Sequence, residues 1–368
     1  MMKRVVIKIG SNIIASATEG LDIRRLSAIA NDISDIVDVG FEPVIVSSGA
    51  VAAGLGKLGL KQKPPDIRLK QVAAAIGQSS LMWAYEHSFA RYGKKVAQVL
   101  LTRDDIADRS RYINAKNTLL TLIAHGIIPV INENDSVATD EIRFGDNDLL
   151  AALVSGLVEA DMLIILSDVD GLYTKDPKHK DARLIETVEE VTPQIEDMAG
   201  KSGSIVGTGG MYSKVLAARQ ANSYGIPVVI ISGKRDGLIQ KVIAGERTGT
   251  YFKPAEVKMP SRKGWIAYGI KSKGVLYLDD GAVQAIISKG KSLLPSGIIR
   301  IEGDFRVGDA VSCLNEDGKR IAKGLTNYSS EEIELIKGKR TSEIERVLGY
   351  KYSDEVIHRD NLVILNIP

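Results

Sequence analysis

The sequence predicts an α/β fold: a three-layer αβα sandwich around a mainly parallel sheet, followed by a small β-rich domain. Strand and helix patterns alternate through the first two-thirds of the chain, and polar clusters follow several of the strands. Repeated strand–helix–strand units give a mainly parallel sheet with helices on both faces. After residue 245 the pattern changes to short β-like runs broken by Gly and Asp, which indicates a second domain.

The strands of the sandwich are expected at short apolar runs, and the helices at longer segments with an apolar stripe. In chain order, the expected strands are Val5–Ile9, Val44–Val46, Val96–Leu101, Ile127–Ile131, Met162–Leu166 and Val228–Ile231. One helix is expected from Asp22, which would cap its N-terminus, to Gly40. Further helices are expected near 67–92, 111–125 and 147–158. The helix near 67–92 has an apolar face that carries Leu69, Val72, Ala73 and Ile76.

The composition is that of an ordinary globular protein and excludes several kinds of site. The 368 residues carry a net charge of +2, which gives no strong field for nucleic acid or an anionic membrane. Cys313 is the single cysteine, which excludes an intramolecular disulfide and thiolate metal sites, and the four histidines are scattered. No segment resembles a signal peptide or a membrane-spanning helix of about 18 apolar residues. We therefore expect a cytoplasmic protein without membrane contact.

Polar clusters follow four of the expected strands. They are Gly10-Ser11-Asn12, Ser47-Ser48-Gly49, Asn132–Asp135 and Ser167-Asp168. Ligands of open α/β sheets bind beyond the carboxyl ends of the strands, so the four clusters predict one shared site. The run Asn132–Asp135 is compatible with two roles, binding the ammonium group of a small substrate or forming a solvated turn.

The segment Gly207–Lys214 has the properties of a phosphate-binding loop. Its glycines let the backbone approach an anion, and the helix that follows adds the positive end of its dipole. Lys214 supplies a full positive charge at the same place. The spacing is not that of a P-loop, and a glycine-rich surface turn is the alternative interpretation.

Two further charged residues are predicted to share this site. Lys8 lies inside an apolar strand, where a lysine must reach solvent or an anion, and with Lys214 it could neutralise a transferring phosphoryl group. Gly145–Asp148 opens a helix with two carboxylates, more than a cap requires, and Asp148 is the expected organiser of the two lysines. No histidine lies in the polar clusters, which favours a carboxylate acceptor that needs no general base, although an aspartate could serve as one.

These motifs together resemble the amino acid kinase family, and within it the members that phosphorylate glutamate. The matching segments are Val5–Ser11, Val46–Gly54, Val130–Asp135, Gly145–Asp148 and Gly207–Lys214. The C-terminal part resembles a PUA domain in Ser292–Ile298 and Leu348–Tyr350. We therefore expect a catalytic domain at residues 1–255, a linker at 256–270, a PUA domain at 271–355 and a C-terminal tail at 356–368. The stretch 245–260 is rich in Gly, Pro, Thr and Lys, and this composition is the reason for expecting a linker.

The resemblance implies ATP- and Mg²⁺-dependent phosphorylation of the γ-carboxylate of L-glutamate. It implies that Lys8 and Lys214 contact the phosphoryl group while Asp148 organises them. It also implies that glutamate is held by Ser48, Asp135 and Asn147. The residues implied for ATP are Lys8, Gly10, Gly49, Ser167, Asp168, Thr208, Gly209, Gly210, Met211, Tyr212, Ser213 and Lys214.

The resemblance also implies partners, and it leaves rival functions open. Proline is the implied feedback inhibitor, and a homodimer or homotetramer is the implied assembly. The rivals are a related kinase for acetylglutamate, aspartate or a nucleoside monophosphate, and an RNA-binding protein that acts through its PUA domain. The second domain carries only a small positive excess, which is weak for an RNA-binding surface.

Overall fold

The computed structural model describes residues 3–16, 20–60, 64, 66–137, 147–200, 210–256 and 259–365. The chain divides into two compact units, one that extends to Met259 and one that begins at Pro260. Each unit has its own sheet and its own hydrophobic core.

The first unit is built on a mainly parallel sheet, which confirms the predicted fold class. Its strands are β1 (Arg4–Ile9), β2 (Ala15–Ser16), β3 (Gly20–Leu21), β4 (Glu42–Ser47), β5 (Lys95–Leu101), β6 (Ile127–Glu133), β7 (Met162–Ser167), β8 (Thr187–Val188), β9 (Val228–Ser232) and β10 (Thr250–Phe252). Within the described residues, eight strands form one sheet in the order β5-β6-β4-β1-β7-β9-β10-β8. Neighbours from β5 to β9 are parallel, and β10 is antiparallel to β9.

Helices cover both faces of this sheet. They are α1 (Ser11–Ile14), α2 (Ile23–Asp38), α3 (Ala50–Lys57), α4 (Ile67–Ala90), α5 (Arg103–Ala107), α6 (Arg109–Ala124), α7 (Asn147–Leu157), α8 (Pro193–Met198), α9 (Met211–Ser223) and α10 (Leu238–Ile243). On one face α2 contacts α4 and α10, and on the other face α7 contacts α9. The three layers are therefore those that the alternating strand and helix patterns predict.

The central strand β1 shows how the sandwich places a charged residue inside. Val5, Ile7 and Ile9 belong to the core that α2 and α4 also build. Successive side chains of a strand point to opposite faces of the sheet, so Lys8 lies on the other face. Helix α7 packs against β1 there. Lys8 thus points into the layer that also holds the first turn of α7.

The long helix α4 buries only part of the face expected, since Ala73 is buried and its two larger N-terminal neighbours on that face are not. Leu69 and Val72 are 43% and 46% exposed. The buried face passes instead through Gly77, where an added Cβ would lie 1.7 Å from the carbonyl oxygen of Ala50 in α3. A Cβ on Gly54 of α3 would lie 1.8 Å from the carbonyl oxygen of Ala73. Close backbone contact between the two helices therefore helps to decide which face of α4 is buried.

The stretch 245–260 is not a linker throughout. Its residues Thr250–Phe252 form β10, which pairs with β9 and with β8 in the main sheet. The linker prediction is wrong for these three residues, because a short strand between glycine-rich turns leaves little pattern in the sequence.

The second unit contains a small sheet with helices packed on it. Its elements are α11 (Ser261–Gly264), β11 (Gly274–Leu278), α12 (Asp280–Lys289), β12 (Ile298–Glu302), β13 (Ala310–Leu314), β14 (Arg320–Leu325), α13 (Ser330–Ile336), α14 (Ile344–Leu348) and β15 (Leu362–Ile364). In the described part of this unit, five strands lie in the order β12-β11-β13-β14-β15. The β-rich second domain is therefore confirmed, and β15, which lies in the expected C-terminal tail, pairs with β14.

Two further observations concern the reactivity of the single cysteine and the ability of the helices to span a membrane. Cys313 is fully buried in the second core, and burial raises the pKa of its thiol to about 12, which makes it unreactive at neutral pH. A search of the described helices finds none with the length and apolar character needed to span a bilayer.

Candidate active site

Three buried charged side chains meet at the carboxyl end of β1. Asp148, in the first turn of α7, lies between Lys8 of β1 and Lys214 of α9. Its Oδ1 is 2.6 Å from the Nζ of Lys8, and its Oδ2 is 3.1 Å from the Nζ of Lys214. The structure thus brings together the two lysines that the sequence proposes for contact with the phosphoryl group and the aspartate that is expected to organise them.

The electrostatics of this lysine–aspartate–lysine cluster keep it charged. Lys8, Asp148 and Lys214 are only 3%, 0% and 5% exposed. Burial alone would raise the pKa of Asp148, but the charges and hydrogen bonds of the two lysines outweigh it and lower the pKa below its ordinary value. Two cations and one anion together carry a charge of +1. Such a cluster suits a ligand that brings negative charge.

Helix α9 directs its positive end to the same place. It begins at Met211, after Gly210, and Lys214 lies in its first turn. Ser213 can donate its hydroxyl hydrogen to the Oδ2 of Asp148 at 2.9 Å or to the carbonyl oxygen of Gly210 at 2.8 Å. Tyr212, like Met211, is half-buried. Thr208 and Gly209, with Gly207, Gly145 and Asp146, lie outside the described residues.

The two proposed phosphate glycines lie at neighbouring strand ends. Gly49 follows β4 and has φ of 107°, in the left-handed region that favours glycine, and it precedes α3. Gly10 follows β1, and a Cβ there would lie 3.7 Å from the Nζ of Lys8. The backbone of Gly10 therefore passes close to a buried cation, where an anionic ligand can reach both.

A neutral hydrogen-bond network occupies the β4–β6 side of the cluster. The Nδ2 of Asn147 lies 2.8 Å from the carbonyl oxygen of Ser47, 3.0 Å from the Oγ of Ser48 and 2.8 Å from the Oδ1 of Asn132. Asp135 lies two residues beyond β6 and is half-buried. The residues expected to hold glutamate thus fall on one side of Lys8.

Two of the residues expected to bind the nucleotide, Ser167 and Asp168, fall on the other side of Lys8. Strand β7 neighbours β1 opposite to β4, and it ends at Ser167, which is paired in register with Ser232 of β9. Ser167 is buried and its hydroxyl lies 3.4 Å from the Oδ1 of Asp168, which is exposed. The sheet order therefore separates two proposed half-sites, one for glutamate and one for the nucleotide, with the charged cluster between them.

Comparison with known proteins identifies the family. Residues 3–232 match the model of the amino acid kinase family. The chain belongs to this family. Residues 274–348 of this family member match the model of the PUA domain.

Relatives of this amino acid kinase family member match it over almost its whole length. It is 53% identical to a glutamate 5-kinase of Syntrophotalea carbinolica over 99% of this chain and 97% of that protein. It is 51% identical to a glutamate 5-kinase of a Thermoanaerobacter species over 98% of each chain. Among solved structures, carbamate kinase from Giardia lamblia bound to AMP-PNP aligns with a TM-score of 0.53 and 19% identity, over 69% of this chain and 99% of that chain. That likeness shows the fold.

The described side chains of this site do not form a metal centre by themselves. No group of three or more His, Cys, Asp or Glu side chains that could hold a metal ion is found in the part of the chain that the structure describes. Both oxygens of Asp148 lie against lysines. This donor set does not fit a metal ion held by protein side chains, so no catalytic step is assigned to one.

The network includes two residues of α4 that the sequence did not indicate. The Oε1 of Gln78 accepts a hydrogen bond from the Nδ2 of Asn132 at 2.9 Å. The hydroxyl of Tyr85 lies 2.8 Å from the Oγ of Ser47. The two residues lie two turns apart on the buried face of the helix. Polar residues at this spacing among buried alanines are the signal that could have indicated them.

Proposed function

We propose that this protein transfers the γ-phosphoryl group of ATP to the γ-carboxylate of L-glutamate. The products are glutamyl 5-phosphate and ADP, and the reaction is the first step of proline biosynthesis. The observation that carries the proposal is the buried lysine–aspartate–lysine cluster between two half-sites. Relatives named glutamate 5-kinase, 53% and 51% identical over nearly the whole chain, support glutamate as the acceptor.

The cluster supplies what phosphoryl transfer requires. An oxygen of the γ-carboxylate attacks the γ-phosphorus, and the bond from that phosphorus to the β,γ-bridging oxygen breaks, so that ADP leaves with the electron pair. The acceptor is already an anion, so no proton has to be removed. Lys8 and Lys214 neutralise the charge on the transferring group, and Asp148 holds both ammonium groups in place.

The two half-sites divide the substrates between them. Ser48, Asn147 and Asp135 bind glutamate on the β4–β6 side. Ser167 and Asp168 bind the nucleotide on the β7–β9 side, with the residues from Thr208 to Lys214. The amides of Gly10 and Gly49 approach the phosphates from the ends of β1 and β4. We expect Mg²⁺ to enter with ATP, bound to its phosphates.

The remaining partners follow from the same proposal. Proline, which shares the α-carboxylate and the amino group of glutamate, would compete for the glutamate half-site. A homodimer or homotetramer is the expected assembly. We place the reaction in the cytoplasm because ATP and glutamate are available there.

Trapping the acyl phosphate tests the proposal. The purified protein is incubated with ATP, Mg²⁺ and hydroxylamine, and with glutamate, acetylglutamate or aspartate in parallel. We expect hydroxamate with free glutamate and not with the other two acceptors. Hydroxamate from acetylglutamate or aspartate alone would assign a different kinase of the family. No hydroxamate from any acceptor, together with salt-dependent RNA binding, would favour the PUA domain as the functional part.

A further inference from the structure

The amide orientations in the neutral network are set by backbone groups. The backbone N–H of Glu133 donates to the Oδ1 of Asn132 at 2.9 Å, so that atom is an acceptor. The other side-chain atom of Asn132 is then its Nδ2, which donates to the Oε1 of Gln78 at 2.9 Å. The carbonyl oxygen of Ser47 requires a donor from Asn147, which is its Nδ2. A backbone N–H or C=O group thus decides which side-chain atom is the oxygen and which is the nitrogen in Asn132 and in Asn147.

The hydrogen count of Asn147 then limits what it can bind. Its Nδ2 carries two hydrogens and faces three acceptors, on Ser47, Ser48 and Asn132, at 3.0 Å or less. Both hydrogens are therefore used within the protein. No hydrogen bond to the Oδ1 of Asn147 is found among the described residues. A ligand of Asn147 must accordingly bring a hydrogen-bond donor.

Gln78 lies at the outer end of this chain of amides, and its position there lowers the stability of the fold. Its Nε2 is buried, and no hydrogen-bond partner for it is found in the described part of the chain. Leaving a buried amide N–H unpaired costs about 1–3 kcal/mol. An apolar side chain of similar length would avoid that cost at this position of α4. What Gln78 contributes to the site is the hydrogen bond that its Oε1 accepts from Asn132.

We propose that Gln78 is a positioning residue that holds Asn132, and through it Asn147, so that Asn147 presents only its Oδ1 to the substrate. This inference rests on the proposed function, because it concerns the glutamate half-site. Of the polar groups of glutamate at neutral pH, only the ammonium group donates hydrogen bonds. Asn147 therefore selects an α-ammonium group, alongside the carboxylate of Asp135.

Substitution of Gln78 tests this role. Gln78→Met keeps the length of the side chain and removes the acceptor, and Gln78→Glu keeps an acceptor for the Nδ2 of Asn132. Gln240→Met is the matched control, since Gln240 of α10 is also half-buried and donates through its Nε2 to Asp32 and Asp35. Its buried Oε1 likewise has no hydrogen-bond partner among the residues that the structure describes. For each variant, kcat, the KM values for glutamate and ATP, and the thermal unfolding midpoint are measured.

The positioning role predicts a specific split among these quantities. Gln78→Met should raise the glutamate KM on the order of tenfold, because the hydrogen bond that orients Asn132 is lost. The values of kcat and the ATP KM should stay within about threefold. The unfolding midpoint of this variant should stay close to that of the unmodified protein, because the buried N–H of Gln78 is removed while the buried Nδ2 of Asn132 loses its acceptor. Gln78→Glu should return the glutamate KM to within about threefold, and Gln240→Met should leave it unchanged.

Other outcomes would overturn the role of Gln78. An unchanged glutamate KM in Gln78→Met would do so. So would a lower unfolding midpoint with kcat and both KM values changed together, which is the result of a merely structural role. Failure of the proposed function is distinguishable, because the unmodified protein would then form no glutamyl phosphate at all.

Discussion

Two neighbouring residues of α7 belong to regions with opposite character. Asp148 is part of a buried cluster in which both oxygens of one carboxylate contact lysines. Asn147, one residue earlier, belongs to a neutral network of amides and hydroxyls that extends to Gln78 and Tyr85. Charged groups suit the stabilisation of a transition state in which negative charge is transferred. Neutral hydrogen-bonding groups that are held in fixed orientations suit the selection of a substrate. The two regions should therefore control different kinetic constants.

The largest expected effect follows removal of the central charge. Asp148→Asn leaves Lys8 and Lys214 buried without their counter-ion, so it should destabilise the protein by about 3–5 kcal/mol and lower kcat at least about 10³-fold. Denaturant unfolding and steady-state kinetics measure the two effects. Because the folded pKa of Asp148 is lowered, its contribution to stability is present above its unfolded pKa of about 3.9 and is lost as pH falls through the folded value. The unmodified protein should therefore lose more stability than Asp148→Asn on acidification below about pH 4.

Lys214→Ala should give the next largest effect, mainly on the chemical step. Loss of one cation from the transition state should lower kcat about 10²–10³-fold, while the protein remains folded. The glutamate KM should stay within about threefold. Circular dichroism serves as the control for folding. Turnover close to that of the unmodified protein would remove the cluster from the mechanism.

Asp135→Ala tests the substrate side of the comparison. Loss of the carboxylate that is proposed to bind the α-ammonium group should raise the glutamate KM about tenfold to a hundredfold and leave kcat nearly unchanged. The initial rate is measured over a range of glutamate at saturating ATP and then over a range of ATP. A change confined to the ATP KM would place the glutamate half-site elsewhere.

The smallest effect is expected from the edge of the neutral network. Tyr85→Phe removes only the hydroxyl that lies 2.8 Å from Ser47 and should cost about 1 kcal/mol of stability. Its glutamate KM should rise less than about threefold, since Asn147 is still held by the carbonyl oxygen of Ser47 and by Asn132. A larger rise than that of Gln78→Met would mean that Ser47, rather than Asn132, orients Asn147.

The charged cluster could be predicted from the sequence, whereas the two residues that α4 contributes to the neutral network, Gln78 and Tyr85, could not. A lysine in an apolar strand and a lysine after a glycine-rich run are visible locally, because such charges require a partner wherever the chain folds. Gln78 meets Asn132 only because α3 and α4 approach closely through Gly54 and Gly77, and residue pattern does not encode that approach.

The fold shows the same division between local and non-local information. The long parallel strands and the helices between them carry clear periodicity, and the structure has them close to the expected positions. Strand β10 has three residues, and its pairing with β9 depends on contacts across the sheet rather than on its own sequence. Short elements that are stabilised by distant partners were therefore missed.

The rate at saturating glutamate and ATP tests the division of labour most directly. It is measured for the unmodified protein, for Lys214→Ala and for Asn147→Ala. We predict that Asn147→Ala recovers to within about threefold of the unmodified protein, because excess substrate compensates for weaker binding, and that Lys214→Ala stays at least about 100-fold slower. Equal deficits in the two variants, or recovery of Lys214→Ala instead, would contradict the assignment of the charged cluster to catalysis and of the neutral network to substrate binding.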